Sequence, residues 1–464
     1  MKPILFLVLV VSFTAPKAQT NNQLINSGDL LEQGGKLYDD GKYKAAIEIF
    51  KKVPRSDTNY SRVLVALASA TFSDSDYNGS IQYARLGLKL FPEGFTDWYN
   101  QEGNTLVEAG KKTEAMACYD SVLQRNPYAY VVWFNKGLCF FKMEKYPEAA
   151  ACFKKTLLIY PFYTSAHYYL GKIYLKNGNL PAALYCFTTN LAINPDNRYR
   201  DNSVSALSSI ANVKDEVATL AANAKPGGED NFDLQQEILL GKIALDKQYK
   251  LQTDVEDPIT RQLQVLFEKT DYNKNDDGFC MQFYVPFYKK IYNEGGFNTL
   301  VNFMFSGLNI KTVTEFNKKR KKEIEDYKVE AGAYLDSIKV TEVLNMGERA
   351  AAQVHYYFEN GYMVGKGAWR NVSGKQTFYG PWEFYYNNGQ LKSKGNFTDH
   401  ESKDGEWVFY YKNGQLKEHS ILADDSLSGK STTWFDTMAL LGIISCGVVS
   451  KLCTRTVQLM PTFK

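Results

Sequence analysis

Between Phe95 and Asp196 the apolar positions recur in blocks, and the blocks repeat every 34 residues. Gly103, Gly137 and Gly171 share that spacing, as do Ala115, Ala149 and Ala183, then Tyr119, Phe153 and Phe187, then Pro127, Pro161 and Pro195. The pattern predicts helical pairs: Gly and Ala let two helix backbones approach, an aromatic fills the gap, and Pro ends the unit. One pair cannot bury its apolar face alone, so it stacks on the next. Two looser copies precede these three. Gly34, Ala46 and Phe50 form one, and Ala68, Ser80, Ala84 and Pro92 the other, with a slip to 35 between Pro92 and Pro127. Five repeats are predicted over 27–197, with the Ala- and Ser-rich stretch 201–223 as a polar-faced cap.

This 34-residue pattern resembles the tetratricopeptide repeat (TPR). The resemblance implies an α-solenoid over 27–223 whose first helices line a concave groove. By register, Asn100, Asn104 and Val107 fall there from the third repeat, Phe134, Leu138 and Phe141 from the fourth, and Tyr168, Lys172 and Leu175 from the fifth. The Lys/Asn clamp of some TPR proteins for a terminal carboxylate is not reproduced. Asn104 fits its place in that clamp, but Phe134 and Leu138 do not. An aromatic groove with a polar flank implies a protein or peptide partner, held as an extended segment or a helix. This reading expects Phe134→Ala with Tyr168→Ala to weaken partner capture by about 2–4 kcal/mol and leave the fold intact.

Residues 224–340 break the period and read as a mainly helical segment of no recognised family. Lys225–Asn231 is a linker by composition, and helices are predicted over Asp257–Lys269, Gln282–Tyr292 and Lys311–Lys339. The run Asn273–Gly278 resembles the start of a calcium loop. However, Tyr284 stands where a bidentate Glu is required, so the run is read as a polar turn. The basic run Lys318–Lys322 continues into Glu323, Glu325 and Asp326, which predicts a salt-bridged helix face.

Near Ala352 the periodicity changes to the alternation of strands. Residues 379–397 and 404–422 align at an offset of 25, pairing Gly380 with Gly405, Trp382 with Trp407, Phe384 with Phe409 and Gly389 with Gly414. Weaker copies lie at 356–361 and 434–440. Each copy predicts a β-hairpin whose turn glycine takes positive φ. The pattern resembles the bacterial MORN-variant repeat, which implies an antiparallel hairpin sheet over 345–440. Some proteins with such repeats are named as antitoxins, and eukaryotic relatives are linked to membrane lipids. Trp382, Phe384, Trp407 and Phe409 are predicted to form the packed face, with Tyr385 and Tyr410 on the other face as contacts. Ser428–Ser431 resembles the end of a phosphate-binding loop, but Asp424 replaces its first Gly. Over 441–464 the hairpin pattern is lost, which reads as an atypical tail from an altered reading frame.

The predicted fold class is therefore multidomain, α then β: a TPR solenoid, a helical middle segment and a hairpin-repeat sheet. The N-terminus adds Lys2, an apolar run Ile4–Phe13 and Ala18, which reads as a signal peptide over 1–18. Export to the periplasm, the outer membrane or the cell surface follows. Cys118, Cys152 and Cys186 share one repeat register and read as small buried groups rather than disulfide partners. The net charge of +3 does not point to nucleic acid. The four histidines, His167, His355, His400 and His419, show no metal-ligand spacing, and no nucleophile elbow occurs. No enzyme, cofactor or metal is expected. The function expected is a protein-binding adaptor or scaffold of the cell envelope, with membrane association left open. Two alternatives stand beside it: an antitoxin-like neutraliser, and a module attaching to lipid or glycan.

Overall fold

The computed structural model describes residues 26–224, 230, 232–276, 278–344, 355–359, 362–372, 375–386, 389–435 and 455–459. The predicted signal peptide, the linker 225–229, Cys446, Cys453 and most of the tail lie outside these residues. The chain divides into two compact units, up to Tyr83 and from Ala84 onward.

The first unit holds α1 (Ser27–Asp39), α2 (Tyr43–Phe50), α3 (Tyr60–Ser73) and the start of α4 (Tyr77–Leu90). In the second, α5 (Phe95–Glu108) pairs with α6 (Lys112–Arg125), α7 (Tyr130–Lys142) with α8 (Tyr146–Ile159), and α9 (Thr164–Lys176) with α10 (Leu180–Ile193). The glycines explain the pairing. A Cβ added at Gly137 would lie 2.7 Å from the Phe153 ring, and one at Gly103 2.7 Å from Tyr119. At Gly171 the distance to Phe187 is 3.0 Å, and at Gly34 that to Phe50 is 2.2 Å. In every case the ring sits where the glycine has no side chain. Cys118, Cys152 and Cys186 are buried free thiols beside these crossings, as their shared register predicts.

Helix α10 departs from an ordinary repeat helix. Every residue from Leu180 to Ala192 is buried, so the helix is covered on all sides. The cover comes from downstream: α11 (Arg200–Ala211), α12 (Asp215–Ala222), α13 (Asp233–Leu240), α14 (Pro258–Lys269), α15 (Phe279–Phe283), α16 (Val285–Asn293), α17 (Phe297–Met304), α18 (Lys311–Lys319) and α19 (Lys321–Leu344). Helices α13 and α17 pack on α10, and α19 packs on α8. One apolar core runs without a break from Phe134 to Ile338. The stretch 201–223 is thus followed by further packed helices, while Asp201, Asn202, Asp215 and Glu216 on it stay exposed. The Gln262 amide donates to the carbonyls of Ala211 (3.3 Å) and Leu239 (3.1 Å), tying α14 across the end of α11.

The helix predicted over Lys311–Lys339 is two helices. Arg320, at φ −115° and ψ 36°, breaks it inside the basic run. The ion pair Arg320–Glu323 (2.9 Å) answers part of that run's charge, and Lys328–Glu325 (2.7 Å) follows further along α19. The Asn273 and Asp276 side chains accept from the amides of Asn275 (3.0 Å) and Gly278 (2.7 Å), the local bonding of polar turns.

The C-terminal strands form one sheet in sequence order: β1 (His355–Glu359), β2 (Tyr362–Val372), β3 (Lys375–Tyr385), β4 (Leu391–Phe397), β5 (Lys403–Tyr410), β6 (Leu416–Ala423), β7 (Ser426–Phe435) and β8 (Arg455–Leu459). Neighbours are antiparallel through β7, and β8 pairs parallel to β7. Ser428–Ser431 lies within β7, and Ser431 is buried against Ser420 at 2.9 Å. Gly389 (φ 78°) and Gly414 (φ 83°) supply the positive φ of the two central turns, as predicted. The glycine amides bond back to Tyr386 and Tyr411, so each glycine follows a tight turn and forms a bulge.

The sheet repeats the device of the helices. Trp382 (2% exposed) lies over Gly367 of β2, and Trp407 (0%) over Gly395 of β4. A Cβ at either glycine would be 2.3 Å from the indole. The indole nitrogens donate to Ala368 O (2.9 Å) and Asn396 O (3.0 Å), which satisfies the polar atom that burial would orphan.

These crossings give a paired prediction for thermal unfolding. Gly137→Ala should destabilise by about 1–3 kcal/mol, because its methyl overlaps Phe153. Gly332→Ala, a helical glycine with nothing within 4 Å, should stabilise by roughly 0.5–1 kcal/mol. Equal responses at the two sites would contradict the tight crossing.

Candidate functional site

The residues predicted to line the groove separate into two groups. Phe134 (5% exposed) and Tyr168 (7%) are buried in the array, and so is Val107. Phe134 packs against Phe153, Tyr163 and Tyr169. Tyr168 stacks on Tyr199 at 4.2 Å, with only 6° between the rings. Both are floor rather than displayed contacts, and truncating Phe134 would cost about 3–5 kcal/mol of stability. The double alanine variant of these two residues is therefore no probe of a partner site in an intact fold.

Asn100, Asn104, Leu138, Phe141 and Leu175 are half-buried, and Lys172 is exposed. Asn100 accepts from the Asn135 amide (2.9 Å), and Asn104 accepts from the Tyr119 hydroxyl (2.7 Å). These bonds tie neighbouring helices together and use one amide oxygen on each side chain.

Tyr169, Tyr163, Tyr199, Arg198 and Lys176 complete the patch and were not in the predicted set. Tyr169 is one position past the chosen register, about 100° round the helix. Its ring meets Phe134, Phe141 and Tyr199. The aromatic density of 160–169 was the available signal for it. Lys172 lies over Phe141 (5.2 Å), Tyr168 and Tyr169, Lys176 over Tyr146 (4.8 Å), and Arg198 over Tyr199 (4.8 Å). Burial raises the Tyr130 and Tyr199 phenols to about 12, so these rings are neutral at ordinary pH. The patch is aromatic and bears cations.

The opposite side of these repeats is occupied by the chain itself. His167 on α9 is fully buried there, with Nε2 2.7 Å from the Pro161 carbonyl and Nδ1 2.8 Å from the Tyr284 hydroxyl. A carbonyl only accepts, so Nε2 carries the proton and Nδ1 accepts from Tyr284. The Tyr284 oxygen in turn takes the Cys186 thiol at 3.6 Å. This buried chain joins the array to the middle segment. It resembles a nucleophile–base pair only in composition, since Cys186 and His167 are both 0% exposed.

In the sheet, Trp382, Phe384, Trp407 and Phe409 form a continuous ring row on one face. Tyr385 is half-buried, with its hydroxyl on Glu383 and the Lys366 ammonium over its ring. Tyr410 is also half-buried, and its carbonyl accepts from Tyr386 (2.9 Å). Tyr411 reaches the Trp434 carbonyl in the same way (2.8 Å), so each hairpin is stapled to the next. His419 pairs with Glu406 at 2.6 Å. Among the described residues, no three His, Cys, Asp or Glu side chains converge to hold a metal. No helix among them is long and apolar enough to cross a membrane.

The N-terminal helical repeat array resembles a TPR solenoid. The tetratricopeptide repeat family profile matches residues 130–163, which hold α7 and α8. Among solved structures, the chain is similar to a thermophilic TPR protein of Thermus thermophilus (20% identity, TM-score 0.34, covering 39% of this chain and 98% of that one). It is also similar to PilW, a type IV pilus biogenesis factor (18% identity, TM-score 0.32, 42% and 97%). A third is MamA of Desulfovibrio magneticus RS-1 (17% identity, TM-score 0.31, 37% and 97%). No curated protein matches the chain.

The His167 junction predicts a pH dependence. Burial lowers its pKa from 6.5 to about 4, while the Pro161 hydrogen bond opposes the shift. Between these values the unfolded chain binds the proton and the folded chain does not. Stability is therefore full above about pH 6.5 and falls as pH drops toward 4, by about 3 kcal/mol in all. Chemical denaturation of His167→Gln across this range should show a flatter profile, and an unchanged slope would remove His167 as the cause.

Proposed function

We propose that the chain is a non-catalytic adaptor of the bacterial cell envelope that holds a protein segment in its TPR groove. One observation supports this above others. The second helices of the fourth and fifth repeats, α8 and α10, are covered by the chain's own α13, α17 and α19. The first helices, α7 and α9, keep Leu138, Phe141, Tyr169 and Lys172 at the surface. Half-exposed rings and an aliphatic side chain on a rigid scaffold offer the contact area that partner segments use.

The hairpin sheet, with its resemblance to MORN-variant repeats, offers a second and flatter surface. Tyr385 and Tyr410 stay in this proposal as its contacts, on the side away from the tryptophans. One chain then bridges two components by shape and aromatic contact, without chemistry. Export rests on Lys2, the run Ile4–Phe13 and Ala18.

Photo-crosslinking in the native cell tests the groove. A crosslinker at Leu138 or Phe141 should capture a discrete partner, and one at Gly332 on α19 should not. The folded double variant Phe141→Ala/Lys172→Ala should weaken capture by about 1–2 kcal/mol. Equal capture from the control position would move the site elsewhere. Intact mass after fractionation tests export: a periplasmic or envelope chain starting near Gln19 supports it, and an uncleaved cytoplasmic chain favours the antitoxin-like reading.

A further inference from the structure

The charge on the first helices of the fourth and fifth repeats is one-sided. Helices α7 and α9 together contain four lysines and no Asp or Glu. Two of the lysines are answered from neighbouring helices: Lys136 by Asp120 (2.5 Å) and Lys142 by Glu108. Among the described residues, no carboxylate lies within ion-pair distance of Lys172, Lys176 or Arg198, and all three are exposed. Lys172 and Lys176 are also four residues apart on one helix, a like-charge pair that weakens the helix slightly. Each cation rests against a ring, which fixes its place at the rim while its N–H groups stay available to an acceptor.

We propose that the groove of the fourth and fifth repeats takes an acidic segment of a partner protein. Its carboxylates would meet Lys172, Lys176 and Arg198, and its apolar side chains would lie on Phe141, Tyr169 and Leu138. This rests on the groove reading above and adds the partner's chemistry. The segment supplies the anions that the two helices lack and relieves the Lys172–Lys176 repulsion. A single-stranded nucleic acid would use the same cations but needs ring faces for its bases. Here faces are taken up within the patch: Tyr168 stacks on Tyr199, and the pairs Phe134–Tyr163 and Phe141–Tyr169 meet edge to face.

The test is fluorescence anisotropy on the full chain with three short labelled peptides: alternating Glu and Leu, the same with Gln for Glu, and the same with Lys for Glu. An oligothymidylate serves as a fourth probe. The Glu peptide should bind at least about tenfold tighter than the Gln peptide, weaken with added salt, and leave the Lys peptide unbound. The variant Lys172→Gln/Lys176→Gln should lose about tenfold for the Glu peptide while its melting temperature holds or rises. Equal binding of the Glu and Gln peptides, with the variant unaffected, would overturn the acidic assignment and leave the groove reading standing. Absence of binding by the Glu peptide, or tighter binding of the oligothymidylate, would overturn it as well. The crosslinking experiment judges the groove reading separately.

Discussion

An aromatic ring lying where a glycine has no side chain is the contact on which both halves of this chain depend. In the helices, Phe153 over Gly137 sets how closely α7 and α8 approach, and the same pairing recurs at Gly103 and Gly171. In the sheet, Trp382 over Gly367 and Trp407 over Gly395 do the same between strands. The physics is shared. A ring brings a large apolar area, and a glycine lets it lie against backbone without losing contact to a void. Repetition then multiplies one local solution into a core.

The two repeats differ in what surrounds that contact. In the array, the far side of α8 and α10 is covered by the helices that follow, so Phe141 of α7 and Tyr169 of α9 reach the surface by elimination as much as by design. In the sheet, the tryptophans are shielded by their own row, with Phe384 and Phe409 beside them and Lys403 over Trp407 at 5.1 Å. Hairpin is linked to hairpin by Tyr386 and Tyr411, whose hydroxyls reach the next repeat's backbone.

The periods made the helix pairs and the hairpins legible, because Gly, aromatic and turn residues report local geometry directly. The middle segment was legible only as helices. Its arrangement depends on packing against α10, and no spacing within 224–340 encodes a surface supplied by 180–192. The break at Arg320 was hidden for a related reason: a run of lysines suits a helix, and tertiary packing decided otherwise. At the groove, register selected residues on the helices α5, α7 and α9. It then placed Phe134 and Tyr168 at the surface because a periodic position does not say which of two adjacent aromatics faces inward. Tyr168 turned into the array and Tyr169 outward.

The burial of α10 on every side has a consequence for the order in which the protein takes shape. A ribosome finishes Ile193 well before it reaches Phe297 or Ile338, which supply part of the same core. At ordinary synthesis rates that interval is on the order of ten seconds. Throughout it, a helix that ends up buried on every side has α9 beside it but lacks the cover that comes later. The finished repeats before it can settle early, while this one completes its packing only when the chain that encloses it has been made.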